Sequence, residues 1–177
     1  RLAIETASQC QAGFEDGVYF IPLAPIQSPR FVVPVIADSI GFMLQGESSL
    51  HPKLQLFNYL KEKNILLLAD NLEHLLGDSS VTDLFAELLS HAAKVKLLVT
   101  SRESLGLQGE WIFEVHGLPI PENADMEGTS VELFLQRARR AHVGFDATTE
   151  DYPAIVHICQ LVNGMPLGIE LAAAWVR

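Results

Sequence analysis

The chain has 177 residues, of which 49% are apolar and 19% charged, a composition that excludes a disordered or low-complexity polypeptide. Its 22 acidic and 12 basic residues leave a formal net charge of −10, whereas DNA binding requires clustered positive charge. No apolar run reaches the roughly 20 residues of a membrane span, and the two cysteines, Cys10 and Cys159, match no disulfide or zinc spacing. These properties predict a cytoplasmic globular protein with no direct contact to nucleic acid or membrane.

Short apolar runs alternate with helical patterns over the first two thirds of the chain, which predicts an α/β fold around a parallel sheet. The predicted elements are, in chain order, an amphipathic helix starting at Arg1, a strand over 18–23, a helix after Ser28-Pro29, a helix over 52–61, a strand over 65–70, a helix over 80–93, a strand over 96–102 and a shorter strand over 111–115.

The pattern changes after residue 118. Residues 119–128 combine two prolines, a glycine and three acids, which is typical of a linker. Beyond them, apolar residues recur only at helical spacing, with one helix ending at Asn163-Gly164 and the last beginning at Pro166. We therefore predict an α/β core over 1–118, a linker over 119–128 and an all-α subdomain that starts at 129 and runs to 177.

Polar residues follow two of the predicted strands, at the sheet edge where parallel α/β proteins bind ligands. Asp70 ends one strand, where its carboxylate can hold Mg²⁺ or can equally cap the following turn. Thr100 and Arg102 end the next strand. The guanidinium of Arg102 suits phosphate oxygens, although an arginine in this place more often forms a surface ion pair.

Three ordered stretches of the chain resemble signatures of one protein family. They are Leu-Leu-Leu-Ala-Asp-Asn-Leu-Glu-His-Leu-Leu (66–76), Leu-Leu-Val-Thr-Ser-Arg-Glu-Ser-Leu-Gly-Leu-Gln-Gly-Glu (97–110) and Asn-Gly-Met-Pro-Leu-Gly-Ile-Glu-Leu-Ala-Ala-Ala (163–174). The family is the STAND signal-transduction ATPases, the NB-ARC-like (AP-ATPase) group of P-loop NTPases found in bacterial LuxR-type and SARP-type transcriptional regulators. The likeness covers nearly the whole chain.

The resemblance implies roles for individual residues. Asp70 resembles the Walker B acid that acts on Mg²⁺, and Asn71 stands where many relatives have a second acid. Glu73 is then the nearest remaining carboxylate that could orient a water molecule. Arg102 resembles the sensor arginine that reads the γ-phosphate, and Thr100 shares its strand end as a cofactor-binding residue.

Gly164 and Pro166 resemble the Gly-x-Pro motif of the same family, whose proline packs near the adenine. The same two residues also suffice to end one helix and begin another. Both interpretations can hold together.

The chain contains no Gly-x-x-x-x-Gly-Lys-Ser/Thr phosphate loop. Its one glycine pair at that spacing, Gly41 and Gly46, is followed by Glu47, which would repel a phosphate. The resemblance implies that the chain begins just after the phosphate loop and lacks the first, central strand. We therefore expect ATP or ADP with Mg²⁺ in the intact parent, and neither tight nucleotide binding nor hydrolysis by these residues alone.

These expectations together describe the nucleotide-dependent switch module of a bacterial regulator, whose partners are the other domains of that protein. The alternative is a non-catalytic interaction or scaffold module that keeps the NTPase fold without its nucleotide chemistry. An incomplete sheet also predicts that the isolated chain self-associates or is only marginally stable.

Overall fold

The computed structural model describes residues 1–46, 50–121 and 129–176. The chain divides into two compact units, Arg1–Ile112 and Phe113–Arg177. Most of the predicted linker, residues 122–128, lies outside the described residues.

The first unit is a mixed α/β structure with a small parallel sheet. Its strands are β1 (Val18–Pro22), β2 (Leu66–Asp70) and β3 (Lys96–Val99), in the spatial order β1-β2-β3. Its described helices are α1 (Leu2–Gln9), α2 (Val32–Ser39), α3 (Pro52–Leu60) and α4 (Ser79–His91), with short 3₁₀ turns at Gln11–Gly13, Pro29–Phe31 and Glu73–Leu75.

Strand β2 is covered on both faces, which explains its run of aliphatic residues. Leu67 and Ala69 belong to the main core with residues of α2, α3 and α4. Leu66 and Leu68 face the other way, in a smaller cluster with Ala7 of α1. The sequence expectation of a buried strand that ends in an acid is therefore confirmed.

Helix α2 follows the pattern that its sequence predicts. Val32, Ile36 and Ile40 are buried on one face. Pro34 lies in the first turn, where a backbone N–H has no intrahelical acceptor, so the proline removes no helical hydrogen bond.

The register of the sheet sets the ends of β2 and β3 side by side. Ala69 is opposite Val99, and the N–H of Thr100 donates to the carbonyl oxygen of Ala69 at 3.0 Å. Asp70 and Thr100 therefore meet at the carboxyl edge of the sheet.

The predicted strand over 111–115 is absent, so that prediction is wrong. These residues have no regular secondary structure, and Trp111 and Phe113 are 96% and 84% exposed. Strand propensity is realised only where a neighbouring strand supplies hydrogen bonds and packing. In the described part of the chain no strand lies beside residues 111–115 to supply them.

The described residues of the second unit form three helices, α5 (Ser130–Ala141), α6 (Tyr152–Leu161) and α7 (Pro166–Ala173). The apolar stripe of α5 is buried against α6 and α7, and Arg137 of α5 pairs with Glu170 of α7 at 2.9 Å. Throughout residues 1–46, 50–121 and 129–176, no helix has the length and apolar character needed to cross a membrane.

Candidate functional site

The hydroxyl of Thr100 connects the ends of β2 and β3. Its Oγ1 donates to Oδ1 of Asp70 at 2.5 Å and accepts from the N–H of Asn71 at 2.9 Å. The carbonyl oxygen of Thr100 also accepts from the N–H of Leu72 at 3.2 Å. One residue therefore fixes both the Asp70 carboxylate and the turn that follows it.

That turn requires an unusual backbone conformation. Asn71 has φ +63°, in the left-handed region that asparagine tolerates better than most residues. Its Nδ2 lies 3.4 Å from Nδ1 of His74, and Nε2 of His74 lies 2.7 Å from the carbonyl oxygen of Ile26. Because that carbonyl only accepts, Nε2 of His74 is the donor in this bond. His74 thus ties the turn after β2 to the loop after β1.

Glu73 and Arg102 lie at the same edge as a loose ion pair. Nε of Arg102 is 3.6 Å from Oε1 of Glu73, and the two side chains are 89% and 24% exposed. An exposed pair at this distance contributes little to stability. Arg102 can therefore turn toward a ligand at low cost.

The predicted site residues fall into two groups. Asp70, Glu73, Thr100 and Arg102 lie together at the carboxyl edge of the sheet in the first unit. Gly164 and Pro166 belong to the second unit, where each has a structural role.

Gly164 ends α6 with φ +66°, and its N–H donates to the carbonyl oxygen of Cys159 at 2.9 Å. A Cβ on this residue would lie 2.2 Å from the carbonyl oxygen of Leu118, so the position also demands glycine for space. Pro166 is the first residue of α7. The role of these two residues toward an adenine stays a prediction.

The sequence did not predict the part that Asn71 and His74 play in joining the two loops. The partner of His74 is a backbone carbonyl 48 positions away, which leaves no signal in the local sequence. The Asp70–Thr100 bond has a readable signal, since two neighbouring parallel strands both end in a polar residue.

The oxygen atoms at this edge suit a magnesium ion in part. Oδ2 of Asp70 forms no hydrogen bond with any described residue, while Oδ1 is held by Thr100. Among the described residues, no three His, Cys, Asp or Glu side chains cluster closely enough to hold a metal by themselves. Magnesium usually binds one or two carboxylates and completes its shell with water and substrate phosphates. Asp70 therefore fits a magnesium ion that arrives with a nucleotide.

No family model matches the chain, and no solved structure matches it. The chain is 36% identical, over all 177 of its residues, to a Mycobacterium tuberculosis protein provisionally named an HTH-type transcriptional regulator, and equally to a Mycobacterium bovis protein of that description. The match covers 19% of each relative.

The chain is also 30% identical over 175 residues, 98% of its length, to an uncharacterized protein of Mycobacterium tuberculosis, of which the match covers 42%. The chain thus spans about a fifth to two fifths of the curated relatives it matches. The comparisons relate it to a segment of longer mycobacterial proteins, among them proteins named as transcriptional regulators.

Proposed function

We propose that this chain is the nucleotide-binding core, without its phosphate loop, of an ATP/ADP-dependent switch in a bacterial transcriptional regulator of the STAND class. The observation that carries the proposal is the carboxyl edge of the sheet. There Asp70, whose carboxylate is held through one oxygen, ends β2, and the exposed Arg102 follows the end of the neighbouring strand β3. The names of the mycobacterial relatives support the regulatory setting.

In this proposal Thr100 orients the acid. Its hydroxyl holds Oδ1 of Asp70 and leaves Oδ2 for a cation or for the water around it. Magnesium, when bound with the nucleotide, supplies positive charge against the phosphate oxygens. The bond from Thr100 stops the carboxylate from rotating, so the ligand does not have to order it.

Arg102 is the residue that responds to the γ-phosphate. Its resting partner is Glu73, at 3.6 Å. A phosphate carries more charge than a carboxylate and matches the planar guanidinium, so it competes well for Arg102. Departure of Arg102 leaves the Glu73 carboxylate available to accept from a water molecule, which is the role proposed for Glu73.

For Gly164 and Pro166 we propose the role that the resemblance to the Gly-x-Pro motif implies, with the proline near the adenine in the intact parent. Hydrolysis in the intact parent is slow and returns the switch to its ADP state. The 177 residues themselves supply no phosphate loop, so we expect no tight binding and no hydrolysis by the chain alone.

The test is made in the full-length regulator, with ATP affinity measured by calorimetry in the presence of Mg²⁺ and with ATP-dependent transcriptional output. We expect Asp70→Ala and Arg102→Ala each to weaken ATP binding by about 10- to 100-fold. This is the loss in affinity expected when one hydrogen bond to a charged group is removed. Both variants should also lose the ATP-dependent output.

The matched control is Asp16→Ala, which removes an acid at the opposite end of the sheet and should leave ATP affinity unchanged. Unchanged binding and output in both site variants would contradict the proposal. Tight, Mg²⁺-dependent ATP binding by the 177-residue chain alone would also contradict it, because other residues would then have to bind the phosphates.

A non-catalytic interaction module is the second candidate. It is favoured by Arg102, which already has an acidic partner, Glu73, at 3.6 Å. The coding sequence just upstream of Arg1 separates the two candidates. Gly-Lys-Thr at that point supports the switch, and any sequence without a phosphate loop supports the interaction module.

A further inference from the structure

We infer that His74 is a positioning residue for Glu73, because it fastens the turn that carries this carboxylate to the loop after β1. The inference rests on the proposed function, since Glu73 has a task at this edge only when a nucleotide binds there. It goes further by naming the residue that sets where Glu73 lies. All the hydrogen bonds that carry it join residues of the first unit.

The turn after β2 is anchored on both of its sides. Strand β2 lies between β1 and β3, so this turn has a neighbour on each side. On the β3 side, the N–H of Leu72 donates to the carbonyl oxygen of Thr100 at 3.2 Å. On the β1 side, Nε2 of His74 donates to the carbonyl oxygen of Ile26 at 2.7 Å. Glu73 is the residue between these two anchors, so the loss of either one gives its carboxylate more freedom to move.

The anchor on the β1 side is itself held in place. The N–H of Leu23 donates to the backbone carbonyl oxygen of Asp70 at 3.1 Å, and Leu23 is fully buried in the main core. The N–H of Ile26 in turn donates to the carbonyl oxygen of Leu23 at 2.9 Å. The carbonyl that His74 reaches therefore has a fixed position relative to Asp70, and the bond places Glu73 relative to the same acid.

The turn has few hydrogen bonds of its own. Residues Glu73–Leu75 form a single 3₁₀ turn, a conformation with poorer hydrogen-bond geometry than an α-helix. The N–H of Leu75 donates to the carbonyl oxygen of Leu72 at 2.9 Å. The N–H of Leu76 donates to that of Glu73 at 3.3 Å. The order of the turn therefore depends on bonds from outside it, of which the bond from His74 is one.

His74 acts through Glu73 and not on the nucleotide. Its Nε2 donates to Ile26, and its Nδ1 lies 3.4 Å from Nδ2 of Asn71. Both ring nitrogens therefore face other residues of the chain. A histidine that binds a metal ion uses one of these nitrogens as the ligand.

The first test needs no nucleotide and measures amide hydrogen exchange in the 177-residue chain. His74→Phe keeps a ring at this position and removes both nitrogens. Exchange at Leu75 and Leu76 should become about 3- to 10-fold faster, the effect of losing one hydrogen bond. Exchange at Thr100, whose N–H is bonded within the sheet to Ala69, should change much less.

Two further variants make this test specific. His74→Gln restores an N–H donor at a similar reach and should return the exchange rates toward those of wild type. His91→Phe is the matched control, because Nδ1 of His91 lies 2.8 Å from the carbonyl oxygen of Glu87 within the same helix and joins no two loops. It should leave Leu75 and Leu76 unchanged. Unchanged exchange at these two residues in His74→Phe overturns the inference.

The second test uses the full-length regulator and separates binding from hydrolysis. His74→Phe should lower kcat for ATP about 3- to 10-fold and change the Mg²⁺-dependent ATP affinity less than about twofold, because Thr100 and not His74 holds the Asp70 carboxylate. In a Glu73→Gln background, His74→Phe should lower kcat no further, since both changes act on the same carboxylate.

The outcomes distinguish this inference from the proposed function. An unchanged kcat in His74→Phe, equal losses of kcat and affinity, or a further loss in the Glu73→Gln background overturns the positioning role alone. If Asp70→Ala and Arg102→Ala leave ATP binding unchanged, the proposed function fails. The positioning role then fails with it, even where hydrogen exchange shows a looser turn.

Discussion

The two ends of the small sheet each carry an aspartate, and the two aspartates are held very differently. At the amino end, Asp16 accepts from Nζ of Lys63 and from the N–H of Asn64, both at 2.8 Å. At the carboxyl end, the Asp70 carboxylate has one hydrogen bond among the described residues, from Thr100, and Arg102 beyond the end of β3 is almost fully exposed.

The difference separates a structural acid from a candidate ligand-binding acid. Asp16 uses both carboxylate oxygens to join the loop before β1 to the loop before β2. The bond from Lys63, followed by that from Asn64, holds the pKa of Asp16 below its ordinary value of 3.8. By contrast, Oδ2 of Asp70 forms no hydrogen bond with a described residue, and a purely structural role does not require such a free oxygen.

The largest effect on stability within this comparison is expected from Thr100→Val. The substitution keeps the shape of the side chain but removes the partner of both Oδ1 of Asp70 and the N–H of Asn71. We expect the free energy of unfolding to fall by about 1–3 kcal/mol, as for other part-buried polar groups left unpaired. Urea unfolding of the 177-residue chain measures it.

Thr100→Ser is the matched control. Because serine keeps the hydroxyl, this substitution should lower the free energy of unfolding much less. Equal stability of the valine and serine variants would show that the Thr100 hydroxyl does not hold the edge together.

A smaller effect is expected at the amino end, and it depends on pH. A carboxyl whose pKa is lowered on folding stabilises the fold above its unfolded pKa, and that contribution is lost as pH falls through the folded pKa. Wild type should therefore be more stable than Asp16→Asn at neutral pH, and the gap should close as pH falls below about 4, near the ordinary value of 3.8. Thermal unfolding of both chains across this pH range measures the gap.

Asp78 and Asp151, whose pKa values are lowered by bonds from Ser80 and Thr148, remain in both chains and cancel in the comparison. A gap that is the same at pH 3 and pH 7 would mean that the Asp16 charge does not stabilise the fold.

The smallest effect is expected from Arg102→Ala. Because Arg102 is 89% exposed and its ion pair with Glu73 is long, the free energy of unfolding should change by less than about 0.5 kcal/mol. Lys63→Ala, which removes the partner of Asp16, should destabilise the chain more. If Arg102→Ala lowered the free energy of unfolding more than Lys63→Ala in the same denaturation assay, the carboxyl end of the sheet would be the structural end, contrary to our assignment.

Much of the fold was predictable because its signals are local. The strand formers of β1, the aliphatic run of β2 and the helical stripe of α2 all appear within a few neighbouring residues. The same holds for the candidate acid, since Asp70 directly follows a buried strand.

The rest of the site depends on contacts that the linear sequence does not contain. Lys63 meets Asp16 across 47 positions, and His74 meets Ile26 across 48. Residues 111–115 show the converse case. Their propensity for strand is strong, yet it has no effect without a neighbour that supplies backbone hydrogen bonds.

The amino-acid sequence alone therefore determined the chain order of α1–α4 and β1–β3 and the acid at the end of β2, because periodicity and burial act over short distances. Only the tertiary structure decided which oxygen of Asp70 accepts a hydrogen bond, and which aspartate is bonded through both carboxylate oxygens. Those outcomes depend on the register of neighbouring strands and on loops that are distant in sequence. A shift of the register by one residue would change the partner of every residue in the strand.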